Sequence, residues 1–385
     1  MRSLATAALL LMVIYSTPQA DTFEDAGLGP TACRLVEYDR SSVREAVDLL
    51  KSLGARSLQV FPHGVIFGMM PGAIGNGLPL DLAASFYRSP EEFRAGCPDL
   101  DEVILLSMGN LLQGDEYRRC LLDSAGEAAA MRIESGSLPH PDQDDILGSM
   151  MSRKYPRAEA GGRKWPTQNS EFLIGSVLIN VVFPQGSSLV ETWTEDEFAQ
   201  VISSISIGLS ELQQYTHWID LVFYFNYSDF RWVPVDVEPS RTHWYDHEDW
   251  LTEALTSLGY PGLDSYIGTF ELNNDTRAEF GTDWVFTAYI ADMSDNWDEE
   301  MTYYDPRCWG GWSDEHESRS PVSYAYIGGP YLVVSHPACW LDYGVGFYRV
   351  FMHEMFHIFW AWDEYCGESC CNVRTGYFNT INWNV

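Results

Sequence analysis

Residues 174–183 read Ile-Gly-Ser-Val-Leu-Ile-Asn-Val-Val-Phe, and residues 194–198, Thr-Glu-Asp-Glu-Phe, open the next element. The first run is apolar and rich in β-branched residues, so it predicts a buried strand. Thr194 and Glu197 have the spacing of a capping box, and Phe198, Val201, Ile202, Ile205, Leu209 and Leu212 then recur at helical spacing. A strand that hands over to an amphipathic helix is the repeating unit of α/β sheets. The rhythm continues downstream. Leu221–Phe225, Trp284–Ala291, Val322–Ile327 and Tyr331–Val334 read as further strands, and His247–Leu258 as a helix. The last two strands are divided by Gly328-Gly329-Pro330. The expected fold is α/β (α+β): a twisted mixed sheet with helices packed on it.

Toward the N-terminus, residues 33–70 read as a small βαβ-type unit. Ser42 and Glu45 have capping-box spacing, Val43, Ala46, Val47, Leu50 and Leu53 follow at helical spacing, and Gly54 sits where a helix ends. Ser57–Phe61 and Val65–Met70 are two β-rich runs across Pro62-His63-Gly64. Residues 80–135 read as mostly helical. Farther on the texture turns polar, and Arg153, Lys154, Arg157, Arg163 and Lys164 gather in an otherwise acidic chain. Residues 151–170 are therefore read as a linker. It divides an N-terminal accessory or propeptide domain, 21–150, from a C-terminal domain, 171–385.

Residues 1–20 read as a secretory signal peptide. Arg2 is the positive end, Leu4–Tyr15 the apolar stretch, and Ser16–Ala20 the cleavage region. No later run reaches about 18 uninterrupted apolar residues, so no transmembrane anchor is expected. Export agrees with eight cysteines, Cys33, Cys97, Cys120, Cys308, Cys339, Cys366, Cys370 and Cys371, an even number that suggests disulfides. The formal net charge of −32 argues against nucleic acid, whose phosphates need Lys and Arg. It favours solubility and cation binding. A secreted or periplasmic monomer is expected.

The chemistry lies in residues 351–365, Phe-Met-His-Glu-Met-Phe-His-Ile-Phe-Trp-Ala-Trp-Asp-Glu-Tyr. His353 and His357 are four apart, so on a helix they project from one face, one turn apart. That places two imidazoles on one Zn2+ ion. Zinc lowers the pKa of a water in reach, and the adjacent Glu354 is placed to take its proton as general base. Phe351, Met352, Met355, Phe356, Ile358 and Phe359 make the helix apolar nearly all round, which predicts burial.

Catalytic zinc takes three protein ligands and keeps one open position. The only later glutamates are Glu364 and Glu368, too near for a ligand on a distant second helix. If the helix ran straight, Glu364 would sit about 10 Å along the axis from His357, out of reach of the same metal. A bend after Ile358 is required. It makes Asp363 the first candidate for the third ligand and Glu364 the second.

His353, Glu354, His357, Asp363, Glu364 and Tyr365 together resemble the metzincin metallopeptidases, whose signature runs H-E-x-x-H-x-x-G-x-x-H/D. The resemblance is nearer to bacterial secreted enzymes of IgA-peptidase type, in which H-E-x-x-H is followed by Asp-Glu-Tyr. It implies a metzincin-like catalytic domain, peptide hydrolysis, one catalytic zinc, and a substrate lying along an edge strand, for which Val322–Ile327 is the candidate. The chain departs from the pattern twice. Trp360 stands where the family has the glycine of a sharp turn, and no Met follows Met355 to form the family's Met-turn. The second departure leaves two readings, a domain truncated at its C-terminus or one that lacks this support.

Weaker constellations surround this one. His243 and His247 are also four apart and are a candidate second metal pair. Asp292, Asp295, Asn296, Asp298, Glu299 and Glu300 crowd one loop and offer oxygen ligands for Ca2+, without the spacing of an EF-hand. Tyr324, Tyr326, Tyr331 and Trp309 are candidates for lining a substrate cleft. The leading expectation is a secreted zinc endopeptidase acting on protein or peptide. Its rivals are a catalytically impaired binding protein that keeps the fold, and a zinc amidase acting on cell-wall material.

Overall fold

The structure, a computed structural model, describes residues 28–35, 40–71, 84–113, 173–186, 192–216, 219–239, 247–292, 323–336, 347–361, 374–375 and 380–381. Within these lies a large mixed sheet with helices on both faces. The N-terminal part runs β1 (Leu28–Leu35), α1 (Arg40–Ser52), β2 (Arg56–Phe61), β3 (Val65–Pro71), β4 (Ala84–Tyr87), α2 (Pro90–Gly96) and α3 (Glu102–Leu112). The remainder runs β5 (Gly175–Val182), β6 (Pro184–Gly186), α4 (Glu195–Tyr215), β7 (Leu221–Asn226), β8 (Val233–Val235), α5 (His247–Ser257), α6 (Ser265–Phe280), β9 (Trp284–Asp292), β10 (Tyr324–Ala325), β11 (Tyr331–His336) and α7 (Phe347–Ile358). Two two-residue strands, β12 and β13 (Arg374–Thr375 and Thr380–Ile381), pair apart from the sheet.

The main sheet has nine strands in the order β10-β11-β9-β5-β7-β2-β3-β1-β4. Its centre, β11 through β2, is parallel, while β10 at one edge and β3 are antiparallel to their neighbours. Side chains alternate across each strand. Val177, Ile179 and Val181 of β5 join Phe286, Ala288 and Ile290 of β9 and Leu332 and Val334 of β11 in one core with α3, α4 and α7. On the opposite face, Tyr289, Tyr331 and Val333 pack with α5 and α6, and β1–β3 pack with α1. The result is a three-layer α/β/α arrangement.

Local signals place several of these elements. Thr194 accepts from the Glu197 backbone N–H, and Glu197 accepts from the Thr194 N–H at 2.8 Å, which completes the capping box of α4. Gly54, at φ +88, closes α1, where an L side chain is strained. At its other end α1 starts at Arg40, so the Ser42–Glu45 pair lies inside the helix and does not cap it. β1 and β2 flank β3, which is antiparallel to both, so the expected βαβ unit carries an extra strand between its parallel pair.

The N-terminal strands do not form a sheet of their own. β2 pairs in parallel with β7, Gln59 opposite Phe223 and Val60 opposite Tyr224. Strands from before and after residues 151–170 thus share one sheet, and Phe93, Val103 and Ile104 share one core with Phe198 and Ile205. The seam is polar as well as apolar. The Gln59 amide donates to the Ser206 carbonyl at 2.9 Å and to Ser210 Oγ at 2.8 Å, and Ser206 Oγ donates back to Gln59 Oε1, all of them buried. Gln213 reaches the Leu58 and Leu221 carbonyls. Removing one member leaves buried partners unmatched and opens a cavity. Gln59→Ala is expected to lower unfolding stability by about 2–4 kcal/mol in urea denaturation. An unchanged midpoint would show that this seam does not hold the two halves together.

Cys33 and Cys97 are free and buried. The expectation of disulfides does not hold for these two, and burial pushes the Cys33 thiol up to about 12, keeping it a neutral, inert core residue. The other six cysteines lie outside the described residues, as do the stretches read as a signal peptide, 1–20, and as a linker, 151–170. No helix among the described residues is long and apolar enough to cross a membrane.

Candidate metal centre

α7 is buried along most of its length, as its all-round apolar sequence predicts. Phe351 and Phe359 meet Phe286 of β9, with ring centroids 6.3 Å apart in each case. Gly208 of α4 has no side chain where Met352 of α7 passes. A Cβ there would lie 2.8 Å from Met352 Cγ. A mid-helix glycine weakens a helix by roughly 1 kcal/mol relative to alanine, and here its bareness lets the two helices approach.

His353 and His357 share one face of α7, and their rings stand at 85° with centroids 4.8 Å apart. Their Nε2 atoms converge to 3.2 Å. Two nitrogens each about 2.0–2.1 Å from a tetrahedral zinc are separated by about 3.3–3.4 Å. The ring pair therefore fits one cation without a change of rotamer. His357 Nδ1 lies 2.7 Å from the Ala361 carbonyl oxygen. A carbonyl can only accept, so this nitrogen carries the hydrogen and the lone pair is left on Nε2, the atom facing His353. His357 lies in the last turn of α7, where the negative end of the helix dipole favours a cation. Glu354 follows His353 and its side chain is 6 % exposed. It leaves the helix about 100° around the axis from His353, beside the pair and not in line with it.

The helix ends on a left-handed turn. Trp360, the residue in the glycine position of the motif, has φ +71. The Trp360 N–H donates to the His357 carbonyl at 2.9 Å and the Ala361 N–H to the Phe356 carbonyl at 3.0 Å, the paired bonds of a Schellman closure. The bend required after Ile358 is thus present at Trp360. Asp363 and Glu364 lie outside the described residues, and among the described residues no three His, Cys, Asp or Glu side chains converge.

The edge strand of the sheet is β10, shorter than the expected Val322–Ile327 and antiparallel to β11. It has a neighbour on one side only among the described residues. Its turn into β11 touches α7, because the Gly328 N–H donates to the His357 carbonyl at 3.0 Å.

The remaining sites resolve differently. Tyr324 lies opposite Val333, whose side chain belongs to the α5/α6 face. Tyr324, Tyr326 and Tyr331 pack on one another at 4.9–6.3 Å on that face, so they line the core behind the sheet and not a cleft against α7. Trp309 is outside the described residues. His247 is buried with its ring stacked on Tyr324 at 5.5 Å, and its expected partner His243 is outside the described residues. Of the acidic loop only Asp292 is described, buried at the end of β9. No protein-family model, curated protein or solved structure matches the chain.

A further buried histidine, His336, ends β11 on the α7 face, with its ring 5.5 Å from Phe347 and 5.8 Å from Trp193. Nothing in its sequence context marks it out. Burial lowers its pKa from 6.5 to about 4, against a smaller upward pull from Glu197. The folded state thus resists a proton that the unfolded chain accepts below about pH 6.5. Stability from this site is complete above pH 6.5 and falls as pH drops toward 4, by on the order of 3 kcal/mol in total. His336→Phe is expected to flatten the pH 4–6.5 limb of the unfolding free energy relative to the unsubstituted chain. Parallel limbs in the two proteins would refute the assignment.

Proposed function

We propose that the chain is a secreted zinc endopeptidase with a metzincin-like catalytic layer. The observation that carries this reading is the pair of Nε2 atoms 3.2 Å apart, one of them fixed as a lone-pair donor by the Ala361 carbonyl. His353 and His357 hold the cation through Nε2. Asp363 completes the ligand set, with Glu364 in reserve. Asp363 follows Ala361 by two residues, so the chain keeps it within about 7 Å of that turn.

When bound, zinc polarises the scissile carbonyl and acidifies a water molecule. Glu354 does the proton work. Its carboxylate takes a proton from the attacking water as the new O–C bond forms, then delivers it to the amine nitrogen as the C–N bond breaks. The buried flank of α7 keeps competing water away from that transfer. An extended peptide adds alongside β10, which among the described residues has a neighbour on one side only and leads into the turn whose Gly328 N–H meets the His357 carbonyl.

The test is metal analysis of the full chain with a casein-type assay. One zinc per chain, activity lost to a chelator and activity restored by zinc are expected. Casein cleavage that ignores the chelator, or a chain that takes up no zinc, defeats the proposal.

A further inference from the structure

Trp360 occupies a backbone conformation that costs an L residue about 1–2 kcal/mol, and for a bulky side chain it is an outlier. Such strain persists only where its surroundings enforce it. Here the enforcing contact is Gly328. That residue has φ +85, and a Cβ on it would stand 2.5 Å from Trp360 Cζ2 and 2.7 Å from Cε2. The indole therefore lies flat in the space that the missing side chain leaves. Gly328 is itself held from two sides. Its N–H donates to the His357 carbonyl at 3.0 Å, and the turn behind it is anchored by Asn273 Nδ2, which donates to the Pro330 carbonyl at 2.9 Å.

These contacts close a ring around the second histidine. His357 N–H···O geometry at Nδ1 depends on where the Ala361 carbonyl points, and that carbonyl is aimed by the turn at Trp360. Were α7 to continue straight, Ala361 would lie one further turn along the axis with its carbonyl directed away from the His357 ring. The β10–β11 turn thus supports the imidazole through the backbone of His357 and the indole of Trp360.

We propose that Trp360 is a positioning residue: its left-handed turn, held by the indole on Gly328, fixes the His357 tautomer and ring for metal binding. This rests on the zinc reading above and goes beyond it, since the motif offers a glycine at this place and no role for an indole. A plain capping role makes a different forecast. It lowers the melting temperature and leaves the histidine alone.

The test compares the full chain with Trp360→Ala, Trp360→Gly and Gly328→Ala. Two readouts are taken, the His357 ring-nitrogen NMR shifts in the metal-free protein and Zn2+ affinity by chelator competition. Thermal unfolding checks that each variant is folded. The unsubstituted chain is expected to show hydrogen on Nδ1. Trp360→Ala and Gly328→Ala should mix the two tautomers and bind zinc about 10- to 100-fold more weakly. Trp360→Gly, which takes φ +71 without strain, should stay within about threefold. Unchanged tautomer and affinity in Trp360→Ala, or equal loss in the alanine and glycine variants, overturns the proposal. If the unsubstituted chain binds no zinc, the peptidase reading falls, while the tautomer comparison still decides the role of Trp360.

Discussion

Glu354→Gln is expected to reduce casein hydrolysis about 10³-fold while the protein still binds one zinc. The substitution keeps the size of the side chain and removes its ability to accept a proton. Glu354 sits one residue from His353 and is nearly enclosed, so its carboxylate has little bulk water to share a proton with. The loss belongs in kcat, because the amide still fills the same space beside the substrate. Activity equal to the parent's would take Glu354 out of the chemistry and leave the histidines as a metal pair without a base.

The second large effect is on the metal itself. His357→Ala removes an Nε2 ligand and also frees the Ala361 carbonyl that this ring satisfies. Zinc affinity should fall at least about a hundredfold, and hydrolysis with it. The loss has a readout that needs no substrate. A ligand at 1,000 times its Kd stabilises the folded state by about 4 kcal/mol, which is several degrees in Tm. The parent should show that shift on adding zinc, and His357→Ala at the same zinc concentration should show about a third of it or less. His247→Ala is the control: it opens a cavity in the aromatic core behind the sheet, so the Tm drops while the zinc-dependent increment stays. A full zinc increment in His357→Ala would exclude this histidine as a ligand.

Much of this architecture is legible in the sequence, and the failures have physical causes. Strands β5, β7 and β9 and helices α4 and α7 announce themselves because their buried faces are apolar and periodic. Helix α6 gives no such signal. It buries Thr269, Asn273 and Thr276, which bond to Tyr289, to Thr287 and Asn180, and to Asn180 respectively. A polar inward face breaks the hydrophobic period on which helix reading depends. The tyrosines of β10 and β11 illustrate a second limit. Their alternation is visible, but which parity faces α7 is fixed by the Tyr324–Val333 register, a tertiary fact.

The candidate metal centre divides the same way. His353, Glu354 and His357 follow from helical spacing alone. The need for a bend was also legible, because a straight helix carries any acidic ligand out of range. Its residue was not, since intrinsic preference speaks against tryptophan at positive φ, and the contact that favours it comes from Gly328, distant in the chain. Likewise the union of the N-terminal strands with the later sheet depends on Gln59 meeting Phe223, a pairing that no local pattern encodes.

That union changes what proteolysis at the basic stretch around Arg153–Lys164 would accomplish. Shedding a leader requires that the released piece let go, yet β2 is hydrogen-bonded to β7 and Gln59 is locked into α4. A cut there yields a nicked, two-chain protein that travels as one particle and comes apart only in denaturant. Were the first piece stripped away, the flank of β7 would be left as a bare sticky edge, inviting self-association in place of activation.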